Sequence, residues 1–180
     1  MKYSPKIFTT KSGHSYTIRE VQLSDSESLQ KCVLSYLRNN TIPLTAEEYQ
    51  DLCKTHEAWL SQFIDPNSTS ICLVAEKDGE IIGNIDLAMN ARKIQAHTGY
   101  IGMGVHSNFQ GEGIGSTLLN EVLKYADSTP SIEHTWLQVY ANNDAGLKMY
   151  KKNGFEITGT QKNFFKLEDG RYVDNIIMTR

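Results

Sequence analysis

Near residue 68 the spacing of the apolar residues changes from a period of about 3.6 to a period of about 2. Upstream, Leu29, Cys32, Val33, Tyr36 and Leu37 fall at helical intervals. Downstream, STSICLVAEKDGEIIGNIDLAM reads as two strands joined at Asp78-Gly79, a residue pair suited to a tight hairpin. After that hairpin, strands and helices alternate to the end of the chain. A chain of this pattern is constrained to a mixed sheet with helices on its faces.

The remaining elements fit around that switch. SYTIREV alternates like a strand, and LSDSESLQKCVLSYLRN follows as a helix with Ser24 and Asp25 as cap candidates. TAEEYQDLCKTHEAWLSQFI predicts a second helix that ends near Asp65-Pro66; Thr45 and Glu48 form a capping-box pattern at its start. HTGYIGMGV is a glycine-rich strand, and QGEGIGS leads into a helix that runs through Tyr125. EHTWLQVY then reads as a strand, NDAGLKMYKKNG as a short helix and FEITGTQ as a strand. FFKLEDGRYVDNIIMTR reads as a closing hairpin around Asp169-Gly170. No repeat, low-complexity tract or Pro/Gly/Ser linker interrupts the 180 residues. The expectation is a single domain over 1–180, with 1–14 an N-terminal extension or edge strand.

Composition narrows the partners. The formal net charge is -3, without the basic excess of a nucleic-acid-binding surface, so no nucleic acid is expected. The most apolar stretches are strand-sized and the first residues hold no apolar run of signal-peptide length, so no membrane is expected either. Cys32, Cys53 and Cys72 form no CxxC pair and no zinc pattern. They read as reduced, mostly buried thiols of a cytoplasmic protein that holds no metal. No GxSxG or HExxH motif occurs.

QGEGIGS carries the chemistry. Glycine is costly to order, yet three glycines precede a good helix here. They could form a tight turn, or they could clear side chains from a helix N-terminus so that an anion reaches its N–H groups and positive dipole end. Gly111, Gly113 and Gly115 are spaced for this, and Ser116 adds a hydroxyl. The phosphate loop that ends in Gly-Lys-Ser/Thr is absent, and GxGxG is not the dinucleotide fingerprint GxGxxG.

Gln110, Gly113 and Gly115 do form Gln-x-x-Gly-x-Gly, which resembles the pyrophosphate loop of the GNAT N-acetyltransferase superfamily. Asn143, Met149, Tyr150, Gly154 and Phe155, in LQVYANNDAGLKMYKKNGFEITG, resemble that family's downstream block; Gly146 stands where the family commonly has alanine. The resemblance spans roughly residues 15–180. It implies an α/β (α+β) fold in which a mixed, mostly antiparallel, twisted sheet is flanked by about four helices.

The resemblance further implies acetyl transfer from acetyl-CoA to a primary amine on a small molecule, an amino acid or a protein N-terminus. The strand before the loop would splay from the next strand, so that Met103, Gly104 and Val105 pair with the pantetheine arm. Gln110, Gly111, Glu112, Gly113, Ile114, Gly115 and Ser116 would cradle the pyrophosphate, with Glu112 turned to solvent. Asn143 would bond CoA or cap its helix, and Tyr150 would act as general acid toward the thiolate. HTGYIGMGV holds no carboxylate to act as base. His97, Asp86, Glu57 with neighbouring His56, or a water chain are the alternatives. A non-catalytic acyl-CoA-binding module and a generic anion-binding regulator are the rival readings. The C-terminal strands could pair across a homodimer.

Overall fold

The computed structural model of the chain describes residues 2–37, 45–52 and 56–180, and the side chains at 52 and 56 fall outside that description. Eight strands are described: β1 Lys6–Thr9, β2 Ser15–Glu20, β3 Ile71–Lys77, β4 Glu80–Met89, β5 Thr98–Val105, β6 His134–Tyr140, β7 Glu156–Lys166 and β8 Tyr172–Thr179. The described helices are α1 Ser26–Leu37, α2 Ala46–Leu52, α3 His56–Ile64, α4 Ile114–Asp127 and α5 Asp144–Lys152, one more than the expected four. The strands form one sheet in the order β1-β2-β3-β4-β5-β6-β8-β7. All neighbouring pairs are antiparallel except β5 with β6.

Local chemistry explains most of the boundaries. Asp78 and Gly79 have φ of 52° and 83°, both left-handed, which matches the twist of β3 and β4 across a two-residue turn. Thr45 N–H donates to Glu48 Oε2 at 2.8 Å, and Glu48 N–H donates to Thr45 Oγ1 at 3.1 Å, the expected capping box. The second helix expected from sequence falls on α2 and α3; Cys53 lies outside the described residues. Asp25 accepts from Gln22 N–H at 2.7 Å and takes both guanidinium nitrogens of Arg19 at 2.7 and 2.8 Å, so α1 starts only at Ser26.

The C-terminal region differs from the sequence reading. FEITGTQ and the start of FFKLEDG, read as separate strands, are one strand, β7. Its register against β8 shifts between Ile157 and Gly159 and again between Gln161 and Phe165, where Asn163 has φ 53°. Bulges absorb the extra residues and let the strand continue.

Two cores lie on opposite faces of the sheet. On one, Ile85 and Leu87 of β4 pack with Ile101, Leu118, Leu119, Val122, Tyr150 and Phe155 under α4 and α5. On the other, Cys72 and Val74 of β3 pack with Leu29, Cys32, Tyr36, Leu60 and Phe63 of α1 and α3. Cys32 and Cys72 are buried free thiols.

The N-terminal segment forms the edge strand β1 and is fixed to α4. Tyr3 Oη donates to Glu121 at 2.9 Å, Lys6 Nζ lies 2.6 Å from the same carboxylate and Lys124 Nζ lies 2.5 Å away. Burial alone would raise the Glu121 pKa, but hydrogen bonds from Lys124, Lys6 and Tyr3 outweigh it and hold the carboxyl at about 2.

Candidate active site

β5 and β6 pair only at Thr98↔His134, Gly99↔Thr135 and Tyr100↔Trp136. Past Tyr100, β5 remains paired with β4 as far as Val105, while β6 remains paired with β8 as far as Tyr140. The two strands therefore part, and one side of the Ile101–Val105 main chain has no strand partner. A cleft of about 740 Å³ opens there, within the range of small-molecule sites.

The glycine loop closes one end of this cleft. Gly111 and Gly113 have φ of 85° and 89°, a region that side-chain-bearing residues avoid. A β-carbon at Gly111 would meet nothing within 4 Å, so backbone conformation rather than space selects glycine there. The first bond of α4 runs from Thr117 N–H to Gly113 O at 3.1 Å, which leaves the earlier N–H groups of Ile114, Gly115 and Ser116 without intrahelical acceptors. Gln110 Nε2 donates to Val105 O at 3.1 Å and pins the loop to the end of β5.

Most of the expected residues converge. Met103, Gly104, Val105, Gln110, Gly111, Gly113, Ile114, Gly115, Ser116, Asn143 and Tyr150 all line the cleft. Glu112 is outside the cleft lining and open to solvent, and it is also held by the N-terminal hairpin. Its carboxylate accepts from Ser12 N–H and Oγ, both at 2.9 Å, and those bonds lower its pKa. His97 is not among the lining residues. It precedes the end of β5 that is still paired with β6, and its ring lies 6.0 Å from that of His134. Glu57 is exposed on α3, and the His56 side chain lies outside the described residues.

Three lining tyrosines, and Asp86 set behind the lining residue Gly102, bear on the chemistry of the cleft; Asp86, like His97, is not itself a lining residue. Tyr36 lies against Gly104: a β-carbon there would stand 2.1 Å from Tyr36 Cζ. Its hydroxyl donates to Asn84 Oδ1 at 3.0 Å, and burial raises its pKa well above normal. Asp86 pairs with Gly102 in the sheet and accepts from the Gly102 N–H. Its carboxylate oxygens lie 2.9 and 3.1 Å from the place of a Gly102 β-carbon. Desolvation pushes its pKa up to about 7, although the Gly102 N–H opposes this. Tyr100 lines the cleft, and its pKa is raised by burial and then by the Asp86 charge. Tyr150, buried on α5 against Phe155, is pushed up to about 12 by burial and by Tyr100.

Asn143 has the helix-capping role directly, since its Oδ1 accepts from Gly146 N–H at 2.9 Å. A β-carbon on Gly146 would come within 2.9 Å of Asn143 Nδ2, so glycine makes room for the folded-over amide. Sequence reasoning missed Tyr36 and Lys11 as cleft residues. Neither lies in a motif, and both reach the site through pairings far along the chain. Among the described residues, no three His, Cys, Asp or Glu groups converge on a metal position.

The sequence profile of the acetyltransferase (GNAT) family matches residues 33–155, and the chain belongs to that family. Acetyl-CoA is the family's co-substrate. A curated relative, L-amino acid N-acetyltransferase AaaT of Escherichia coli, is 34% identical over 108 residues, which is 60% of this chain and 66% of that protein. The chain thus spans about two thirds of the length of that relative. A GNAT-family acetyltransferase from Streptococcus pneumoniae shares the fold at a TM-score of 0.82 and 24% identity, over 92% of this chain and 98% of that one. The Salmonella typhimurium protein yncA, solved with its cofactor acetyl-CoA, shares the fold at a TM-score of 0.76 and 18% identity, over 92% of each chain.

Proposed function

We propose that this protein transfers an acetyl group from acetyl-CoA to a small primary amine, with an amino acid as the preferred acceptor class. The observation that carries the reading is the parting of β5 from β6 directly ahead of a glycine loop and the start of α4. The acceptor class is supported by the name of the E. coli relative.

The residues fit the donor. The unpaired edge of Met103, Gly104 and Val105 can take an extended amide-bearing arm as an added strand. The α4 N-terminus can take phosphate oxygens on its N–H groups. Asn143, with Oδ1 used by the cap, retains its NH₂ group for a ligand in the cleft it lines.

Acetyl-CoA supplies an acetyl group activated as a thioester. The protein's part is to place the amine and move two protons. An amine with a lysine-like pKa of about 10.4 is only about one part in 10³ neutral at pH 7, so a base has work to do. Asp86 suits that task better than His97, because it stands at Gly102 beside the opened strand and has a pKa of about 7. Tyr150, at about 12, keeps its proton at neutral pH and can donate it on the thiol side of the reaction.

Calorimetric titration with acetyl-CoA, with ATP as comparison, tests the donor reading. Thiol release with a panel of amino acids and short peptides then tests the acceptor. Binding of ATP as strong as that of acetyl-CoA would replace the reading with a general anion site. Release only with peptides would move the acceptor class to protein N-termini.

A further inference from the structure

The hairpin of β1 and β2 brings a cation to the glycine loop. Lys11 sits in its turn and lines the cleft. Its Cγ and Cε lie 4.0 Å from the place of a β-carbon on Gly113. The turn is held on several sides. Lys11 N–H donates to Glu112 O at 3.2 Å, and Thr10 N–H donates to His14 O at 2.8 Å. Ser12 N–H and Oγ both bond the Glu112 carboxylate, and the base of the hairpin is tied through Tyr3 and Lys6 to Glu121. Glu112 is the loop's own carboxylate, and its bonds go to Ser12. Among the described residues Lys11 has no ion-pair partner.

We propose that Lys11 is a phosphate-binding residue for the acyl donor, its ammonium reaching the pyrophosphate carried at the α4 N-terminus, and that Glu112 positions it through Ser12. The inference rests on the acetyl-CoA reading above. A diphosphate carries more charge than one helix end neutralises, and a lysine is a flexible point charge able to follow it. The same contact explains why a carboxylate is tolerated inside an anion-binding loop: it faces the hairpin and fixes the cation.

The test is calorimetry on the whole chain with acetyl-CoA and with acetyl-3′-dephospho-CoA. Lys11→Met keeps the aliphatic stem and removes the charge. It should weaken both ligands by about two- to fivefold, the scale of an exposed ion contact, and Lys11→Arg should restore binding. Glu112→Ala should also weaken both, although it removes a negative charge next to phosphates. Plain charge repulsion predicts the opposite sign.

Unchanged affinity in Lys11→Met overturns the proposal. A loss confined to acetyl-CoA moves the contact to the 3′-phosphate and overturns the pyrophosphate assignment. Tighter binding by Glu112→Ala removes its positioning role. Failure of the unaltered protein to bind acetyl-CoA overturns the donor reading itself, and the inference with it.

Discussion

Replacing Gly104 with alanine forces a choice on Tyr36. The added carbon would stand 2.1 Å from Tyr36 Cζ and 2.5 Å from its Oη. No small shift relieves that contact, so the ring must leave its place. Overpacking of a buried site costs about 1–3 kcal/mol. Swinging the ring also breaks the Tyr36–Asn84 hydrogen bond and leaves the buried Asn84 oxygen unpaired, at about 1–3 kcal/mol. The sum is about 2–6 kcal/mol, which for a domain of this size lowers the melting temperature by about 4–24 °C. Thermal denaturation followed by circular dichroism reads this directly. A second substitution, Tyr36→Ala, should cost stability alone but remove most of the added cost of Gly104→Ala, because the ring that clashes is gone. A Gly104→Ala melt within about 1 °C of the parent, or strict additivity of the two changes, would refute the reasoning.

Tyr150→Phe should lower kcat with little effect on acetyl-CoA affinity; unchanged turnover under rate-limiting chemistry removes Tyr150 as the acid. In the unaltered enzyme kcat/KM should rise with pH through about 7 as the Asp86 carboxyl ionises, and Asp86→Asn should lose most of its activity together with that limb. The raised Asp86 pKa also works against stability as pH rises from the ordinary carboxyl range to about 7, so Asp86→Asn should melt higher than the parent above pH 7. Glu121 behaves in the opposite sense. Its depressed pKa contributes stability that is present above about 4.5 and lost as pH falls toward about 2. Glu121→Gln should cost about 2 kcal/mol at neutral pH, after allowance for its exposed lysine partners, and flatten the acid side of the stability curve in denaturant titrations.

The legible parts of this molecule are those whose signals are local. Asp78-Gly79 announces its turn because two adjacent residues must both adopt positive φ. Thr45 and Glu48 announce a helix start because the two bonds they exchange close within four residues. Gln110, Gly113 and Gly115 are similarly self-contained, and they marked the cleft. Contacts set by the sheet were not legible. Tyr36 reaches Asn84 across 48 residues, and Lys11 reaches Glu112 across about 100. The place of His97 was hidden for the same reason: only the register of β5 against β6 fixes where the strands part. The union of two C-terminal segments into β7 was also hidden, since bulges there take up the residues that read as a break.

The long reach of the N-terminal hairpin has a consequence in time. Lys6 meets Glu121 across 115 residues, and Ser12 meets Glu112 across 100. During synthesis the hairpin is made about 100 residues ahead of its partners on and before α4. Until then the hairpin lacks its anchor, and closing so long a loop is among the slower steps of folding. The hairpin is therefore locked in place long after it is made, and the rim of the cleft that carries Lys11 is finished only when α4 has docked.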